Sequence, residues 1–338
     1  MQFNLHRTFP GHAPTPAEWN ETLTGSITDV PFLRYEYLST WWETRGGGEW
    51  PASAELSIVT AHQDGHLAGI APLFFTDNRE GEPSLVLLGS IEISDYLDLI
   101  VHPADLEEFL PGLLDFLKAA PIPWKTLDLH NLLETSPSLP LLRSEAGKRG
   151  WSFLVEKTYH APSIPLTGDF ETYLAGIDKK QRHEIRRKMR RAGEVEGVRW
   201  YIVEDGSSLK GEVDAFLDLM ASDPEKAAFL TSGMRTQMHA AIQAAFSAGW
   251  LQLSFLTVDG AKAAGYLNFD YQNRIWVYNS GIDRRFMEYS PGWVLLGYLL
   301  QWANENKRSD FDFMRGDEEY KYRFGGVDKI VVRAKIGR

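Results

Sequence analysis

Cysteine is absent from the 338 residues of the chain. Thiol nucleophiles, thiolate metal sites and disulfides are therefore excluded. No apolar run approaches the roughly 20 residues that span a bilayer, and the first ten residues lack the apolar core of a secretion signal. We therefore expect a cytoplasmic protein without a membrane span.

Several common catalytic motifs are also missing. The sequence has no Walker-type phosphate loop, no Gly-x-Gly-x-x-Gly, no Gly-x-Ser-x-Gly elbow and no His-Glu-x-x-His. The nine histidines are scattered, so we expect no bound metal. A formal net charge of −11 argues against a protein that covers nucleic acid or anionic membrane with most of its surface. A local basic patch is still compatible with this charge.

The length and the 43% hydrophobic content predict two domains, each with its own core. Both halves show hairpins followed by a helix and a returning strand. In the first half, a turn at 63–65 separates strands 55–61 and 66–75. In the second half, turns at 259–260 and 272–273 divide a meander of three strands. We place the boundary near residue 160, which gives domains 1–160 and 161–338.

The second domain begins with basic sequence. Asp169 is predicted to cap one long helix that runs to about Ala192, and eight of the thirteen residues 179–191 are Lys or Arg. Arg182, Arg186 and Arg190 recur at a spacing of four and therefore share one helix face, which can bind an anion. Simple solvation of the charges and contact with RNA are the alternatives. Arg182 and Arg186 are the substrate-binding candidates of this helix.

The most informative stretch is the last quarter of the chain. A predicted strand ends near residue 281 and leads through a polar loop into an apolar helix that begins at Pro291. Ser290 can cap this helix, and its first N–H groups then suit an anion. An ordinary strand-to-helix turn is the alternative. The candidate ligand-binding residues of the segment are Asp283, Arg284, Arg285, Ser290 and Gly292.

A second polar motif follows the short predicted strand 311–313. Asp312 alternates with two phenylalanines and faces away from them, and Gly316 permits a sharp bend where the strand ends. Lys321 can stabilise negative charge on a reacting carbonyl or hold a phosphate, and Tyr320 can donate a proton to a leaving group. The alternative is a solvated charged loop whose tyrosine packs on the core.

In the first domain, two carboxylates and a tyrosine cluster at Asp95, Tyr96 and Asp98, near the start of a predicted strand, 96–101. Alternation places Tyr96 and Asp98 on one face and Asp95 on the other. These three residues are candidates for binding a ligand. A polar turn that leads into the strand is the alternative.

These motifs occur in an order that resembles the donor half of a GNAT-type N-acyltransferase. More narrowly, the chain resembles the CelD-like branch (cellulose biosynthesis protein CelD-like), which is related to the Fem peptidoglycan aminoacyltransferases. The matching elements are Ser-Asp-Tyr-x-Asp at 94–98, the basic helix with Lys180, Arg182 and Arg187, Ser-Pro-Gly at 290–292, and the Asp, Gly, Tyr-Lys signature ending at Lys321. The resemblance implies a mixed α/β fold with two tandem GNAT-like domains. The second would hold the donor, and the candidate donor-binding residues are Asp283, Arg284, Arg285, Ser290, Gly292 and Gly316. The first would bind the acceptor through Asp95, Tyr96 and Asp98.

The resemblance also implies a reaction. An acyl group would pass from acyl-CoA, a co-substrate and not a tightly bound cofactor, to a primary amine on a small molecule, a sugar or an envelope precursor. Acyl carrier protein is a second donor consistent with this. Since the chain has no Cys and no Ser elbow, direct attack by the amine is expected. Backbone N–H groups or Lys321 would stabilise the oxyanion, Asp312 or a water would take the proton, and Tyr320 would lie near the leaving group.

Two alternatives stay open at this point. One is a Fem-like transferase that draws an aminoacyl group from transfer RNA for a cell-wall precursor, for which one basic helix on an acidic chain gives weak support. The other is a catalytically silent binding module in polysaccharide assembly.

Overall fold

The structure is a computed structural model that describes residues 1–9 and 14–338. The strands of this part are β1 (Gln2–His6), β2 (Glu55–Leu56), β3 (Ile58–Gln63), β4 (His66–Ala71), β5 (Leu73–Asp77), β6 (Pro83–Leu87), β7 (Ile100–Val101), β8 (Thr126–Leu133), β9 (Ser152–His160), β10 (Ser163–Pro165), β11 (Val198–Ile202), β12 (Leu251–Val258), β13 (Ala261–Tyr271), β14 (Arg274–Ile282), β15 (Asp310–Asp312) and β16 (Ile330–Gly337). The helices are α1 (Pro16–Leu23), α2 (Tyr35–Gly48), α3 (Leu106–Ala119), α4 (Ser138–Lys148), α5 (Phe170–Gly176), α6 (Lys179–Gly193), α7 (Leu209–Met220), α8 (Pro224–Phe229), α9 (Ser232–Ser247), α10 (Pro291–Glu305) and α11 (Glu319–Arg323). The predicted mixed α/β class is confirmed.

The chain divides into two compact units. The first contains Met1–Tyr159 and Ile330–Arg338, and the second contains His160–Lys329. The last nine residues thus differ from the predicted second domain, 161–338. The reason is β16, which pairs antiparallel with β8 of the first unit and places Val331 opposite Leu133.

The first unit has two sheets, of strand order β1-β3-β4-β7 and β2-β5-β6-β8-β16-β9. The turn between β3 and β4 uses positive φ at Asp64 and Gly65, which matches a two-residue hairpin. After the β5–β6 hairpin, α3 carries the chain to β8, which lies parallel to β6. The apolar stripe of α3, with Leu110, Leu114 and Leu117 fully buried, covers this crossover.

The second unit has one sheet of order β10-β15-β14-β13-β12-β11. The strands β12, β13 and β14 form the predicted meander, and both turns have positive φ, at 259–260 and 272–273. From β14 the chain passes through α10 to β15, which lies parallel to β14. Both units therefore repeat one order: an antiparallel hairpin, a helix, a parallel strand and an antiparallel neighbour.

The predicted long helix after Asp169 is two helices. Asp169 caps only α5, and the chain leaves helical geometry at Ile177, with φ −94° and ψ 166°. Asp178 then starts α6, since its side chain accepts hydrogen bonds from the amides of Lys180 and Gln181, at 2.9 and 3.2 Å. Two successive aspartate caps decide the break, because each satisfies amides that a continuous helix would have paired internally.

None of the helices within residues 1–9 and 14–338 combines the length and apolar composition that crossing a membrane requires. Across the same residues, no three His, Asp or Glu side chains approach closely enough to hold a metal ion.

Candidate functional site

A cavity of about 270 Å³ opens at the N-terminus of α10 in the second unit. We call it the donor cavity, after the donor site that the sequence predicts here. Residues of α6, β13, β14, α10, α11 and the 3₁₀ helix Arg284–Tyr289 line it together. They are Lys188, Tyr266, Ser280, Ile282, Met287, Ser290, Pro291, Gly292, Trp293, Leu296 and Tyr320.

The start of α10 supplies backbone donors to this cavity. Val294 is the first residue of α10 whose amide donates along the helix, to the carbonyl of Ser290 at 3.0 Å. The amides of Gly292 and Trp293 come before it and have no helical acceptor. Gly292 also lets the helix start pack tightly on β14, since a Cβ there would lie 2.5 Å from Ile282 Cδ1. The arrangement suits the negative oxygens of a phosphate or a carbonyl.

Ser290 differs from the sequence expectation. It stands at the N-cap position, but its backbone is left-handed, with φ 52° and ψ 49°, and its side chain makes no capping hydrogen bond. The hydroxyl therefore leaves the first amides of α10 unoccupied. This makes the helix start more open to a ligand than a capped one would be.

Two tyrosines, Tyr266 and Tyr320, also line the donor cavity. Burial raises the pKa of both Tyr266 and Tyr320 well above the ordinary value. Within the described part of the chain, neither hydroxyl makes a hydrogen bond to another residue. Both phenols therefore stay protonated at neutral pH and can donate to a group in the cavity.

Lys188 adds a positive charge at the same place. Its ammonium lies 4.4 Å from the ring centroid of Trp293 and 3.4 Å from Glu184. Sequence reasoning missed Lys188, as it missed Tyr266, Ser280 and Trp293. The signal for Lys188 was its position beside the apolar stripe of the basic helix, because Met189 of that stripe contacts α10 at Gly297.

The strand β14 carries a bulge beside the cavity. Leu267 lies opposite Asn279 and Asn268 lies opposite Val277, so Tyr278 is an extra residue in the pairing. Such a bulge bends the strand and redirects the side chains that follow it. Here the residues that follow include Ser280, which lines the donor cavity.

The side chain of Lys321 holds the loop that contains Gly316 through hydrogen bonds. The ammonium of Lys321 is 3% exposed and donates to the carbonyls of Arg315, at 2.7 Å, and Gly316, at 3.1 Å. It also pairs with Glu318 at 2.9 Å. Gly316 has φ +113°, which fits the predicted bend. Neither residue lines the donor cavity, whereas the neighbouring Tyr320 does.

Asp312 is also fully engaged. Its Oδ1 accepts from the amide of Met314 and its Oδ2 from the ammonium of Lys329, both at 2.8 Å. The side chain is buried and lies outside the donor cavity lining.

The predicted basic residues of α6 contact α5. Arg182 donates to the carbonyl of Ala175 at 3.1 Å, and Arg186 pairs with Glu171. These contacts tie α6 to α5, and the structure does not bring either arginine into the donor cavity.

The three charged residues after β14 separate. Asp283 accepts from the amide and guanidinium of Arg285, so this pair closes on itself at the start of the 3₁₀ helix. Arg284 instead lines a neighbouring cavity, described below.

In the first unit, the structure replaces the predicted strand 96–101 by irregular backbone up to β7. Tyr96 has φ +57°, which breaks the expected alternation of faces. Asp98 is buried and accepts from Ser136, from the Ser138 hydroxyl at 2.7 Å and from the Leu99 amide at 2.8 Å. Asp95 is also buried. An acceptor-binding role for these residues stays a prediction.

The carboxyl of Asp310 should make the second unit sensitive to pH. Burial, opposed by Lys329 and Arg274 and reinforced by Asp312, raises its pKa from 3.8 to about 6. Because the pKa of Asp310 is higher in the folded protein than in the unfolded chain, protonation of this carboxyl stabilises the fold. This contribution to stability is fully present below pH 3.8 and is lost as the pH rises through 6. Asp310→Asn should therefore raise the free energy of unfolding at pH 7 by about 1–3 kcal/mol.

Urea denaturation of both proteins at pH 4 and pH 7 measures this effect. The gain should be present at pH 7 and small at pH 4, where the wild-type carboxyl is largely protonated. Equal stabilities at pH 7 would contradict it.

The family model of the acetyltransferase (GNAT) domain matches residues 179–322, which contain β11 to β15, α10 and most of α11. No curated protein sequence matches the chain significantly.

Solved structures share the fold over the whole chain. FemX covers 99% of this chain and 97% of its own, with a TM-score of 0.69 at 12% identity. A conserved protein of unknown function from Bacteroides thetaiotaomicron VPI-5482 covers 100% of both chains, with a TM-score of 0.63 at 12% identity. The C-terminal domain (DUF2156) of a putative lysylphosphatidylglycerol synthetase from Agrobacterium fabrum covers 95% of this chain and 92% of its own, with a TM-score of 0.56 at 11% identity.

The family match lies in the second unit, and the first unit repeats the same order of strands and helix. This supports the predicted pair of tandem GNAT-like domains, while the narrower CelD-like relationship stays a prediction. Residues 179–322 match the acetyltransferase (GNAT) domain, and the fold of the chain is similar to that of FemX.

Proposed function

We propose that the protein transfers an acyl group from acyl-CoA to a primary amine, with the donor held in the donor cavity of the second unit. The observation that carries this proposal is the uncapped start of α10, where the amides of Gly292 and Trp293 lack helical acceptors and Lys188 lines the same cavity. Two backbone donors and one ammonium match the charge of a pyrophosphate or of a polarised thioester carbonyl.

The reaction balances without a covalent enzyme intermediate. The neutral acceptor nitrogen forms a bond to the acyl carbon, the carbon–sulfur bond breaks, and one proton passes from nitrogen to solvent while the thiolate gains one. Backbone amides stabilise the oxyanion, because Lys321 is occupied by carbonyls. Water takes the amine's proton, because both oxygens of Asp312 have partners. Tyr320 is the proton donor for the leaving sulfur.

A transfer RNA donor is the second candidate. The observation in its favour is the fold shared with FemX along the whole chain. Against it, two arginines of α6 pair with carboxylates of the second unit: Arg186 with Glu171, and Arg187 with Glu184 at 2.8 Å. We therefore favour a coenzyme A donor over RNA.

Donor binding is tested by thermal shift with the full chain. Acetyl-CoA should raise the melting temperature by mass action, whereas uncharged and aminoacylated transfer RNA should not. Lys188→Met should weaken the acetyl-CoA shift by roughly tenfold in apparent Kd, equivalent to about 1.4 kcal/mol. Lys179→Met is the matched control, since Lys179 is an exposed lysine of the same helix outside the cavity.

A rise in melting temperature with aminoacylated RNA alone would contradict the coenzyme A donor and favour the Fem-like reaction. No shift with acetyl-CoA, acyl carrier protein or aminoacylated RNA would favour a silent binding module.

A further inference from the structure

A second cavity, of about 430 Å³, adjoins the donor cavity. The two share Ser280, Ile282 and Met287 of their lining, so the segment that ends β14 forms a common wall. A molecule in the second cavity would therefore lie beside a donor held in the donor cavity, at the end of β14.

The charged side chains of the second cavity are two cations and one carboxylate: Lys226, Arg284 and Asp223. The Oδ1 of Asp223 is already used, because it accepts from the amides of Glu225 and Lys226 at the start of α8. Arg284 lies 3.7 Å from Asp223 Oδ2, which is a loose ion pair, and its side chain is 73% exposed. Its guanidinium therefore keeps most of its hydrogen-bond donors available to a ligand.

Lys226 is hydrogen-bonded to the end of β14, which forms the common wall. Its ammonium donates to the carbonyl of Ser280 at 2.5 Å and to Asn279 Oδ1 at 2.9 Å, and one of its three donors is left. The partly exposed ammonium of Lys226 and the exposed guanidinium of Arg284, set against the single carboxylate of Asp223, give this cavity a net positive charge. Such a site favours an anion over a second cation.

We propose that this second cavity binds the amine acceptor, and that the acceptor carries an anionic group, a carboxylate or a phosphate, which Arg284 and Lys226 hold. The proposal rests on the proposed function for the direction of attack, but the binding of an anionic amine can be measured without any transfer. Apolar side chains of Leu219 and Met220 line the rest of the cavity, so a short carbon chain between amine and anion fits its surface.

Two matched pairs of probes test the charge requirement by thermal shift at equal ionic strength. They are 4-aminobutanoate against 4-aminobutanamide, and O-phosphoethanolamine against ethanolamine. At least one anionic member should bind about tenfold or more tightly than its neutral partner. The pair that responds identifies whether carboxylate or phosphate is preferred. Equal binding within both pairs, or no binding of either anion, would overturn the proposal.

Arg284→Gln assigns the effect to this cavity. Because Arg284 is largely exposed, the variant should fold as the wild type does and should lose the preference for the anionic probe. Its acetyl-CoA shift should be unchanged, which separates this result from failure of the donor assignment. Arg199→Gln, which changes an exposed arginine of β11 outside both cavities, should keep the preference. An Arg284→Gln protein that loses the acetyl-CoA shift instead would place Arg284 on the donor and overturn the proposal.

Discussion

Gly281→Ala is expected to lose most acyl transfer and to destabilise the second unit by about 1–3 kcal/mol or more, since overpacking a tight contact costs this much. A Cβ at this position would lie 2.5 Å from the amide nitrogen of Met220 and 2.6 Å from the carbonyl carbon of Leu219. Both are backbone atoms and cannot rotate away. The C-terminal end of α7 would have to move off β14.

This displacement would deform the region around Ser280, which lines both cavities, and therefore affects binding as well as stability. Urea denaturation and the acetyl-CoA thermal shift measure the two effects. Gly211→Ala is the control within α7, because nothing lies within 4 Å of a Cβ there. It should stabilise the helix by up to about 1 kcal/mol. A Gly281→Ala protein with wild-type stability would contradict the close approach of α7 to β14.

The parts of the fold that sequence predicted well depend on local chemistry. The meander of the second unit was found because its two tight turns place residues such as Asp259, Gly260 and Asn273 at positive φ, and these types adopt that geometry readily. The start of α10 was found from Pro291, whose fixed φ suits a first helical turn.

What the sequence could not show depends on partners far along the chain. Ser290 has the residue type of an N-cap, but the packing of Gly292 on Ile282 accompanies a left-handed backbone that prevents capping. The charges of the basic helix looked alike in sequence. Only tertiary packing distinguishes Arg186, paired with Glu171, from Lys188, which reaches the donor cavity.

The predicted second domain failed at its C-terminal end for the same reason. Residues 330–337 have the pattern of an ordinary strand. Their local sequence does not indicate which sheet this strand joins. The pairing of β16 with β8 connects residues about two hundred positions apart, and Arg333 seals it through a buried ion pair with Asp128 at 2.6 Å. Strand pairing at such separation is decided by the whole fold.

Lys321→Met is expected to lower the free energy of unfolding by about 2 kcal/mol or more, since a single buried carbonyl left without a donor costs roughly 1–3 kcal/mol. The wild-type ammonium donates to two carbonyls within 3.1 Å, those of Arg315 and Gly316, and is almost fully buried. A thioether cannot replace these bonds. The loop 314–316 should loosen, and with it the neighbouring Tyr320.

Turnover should therefore fall together with stability, with Lys321 acting as a positioning residue for Tyr320. Lys307→Met is the matched control, because the exposed Lys307 donates to one carbonyl, that of Gly168 at 2.6 Å. That change should cost no more than about 0.5 kcal/mol. Rates are compared at saturating donor and at a temperature where each variant is folded. Unchanged unfolding with a turnover loss of roughly a hundredfold to a thousandfold would instead mark Lys321 as a direct oxyanion stabiliser.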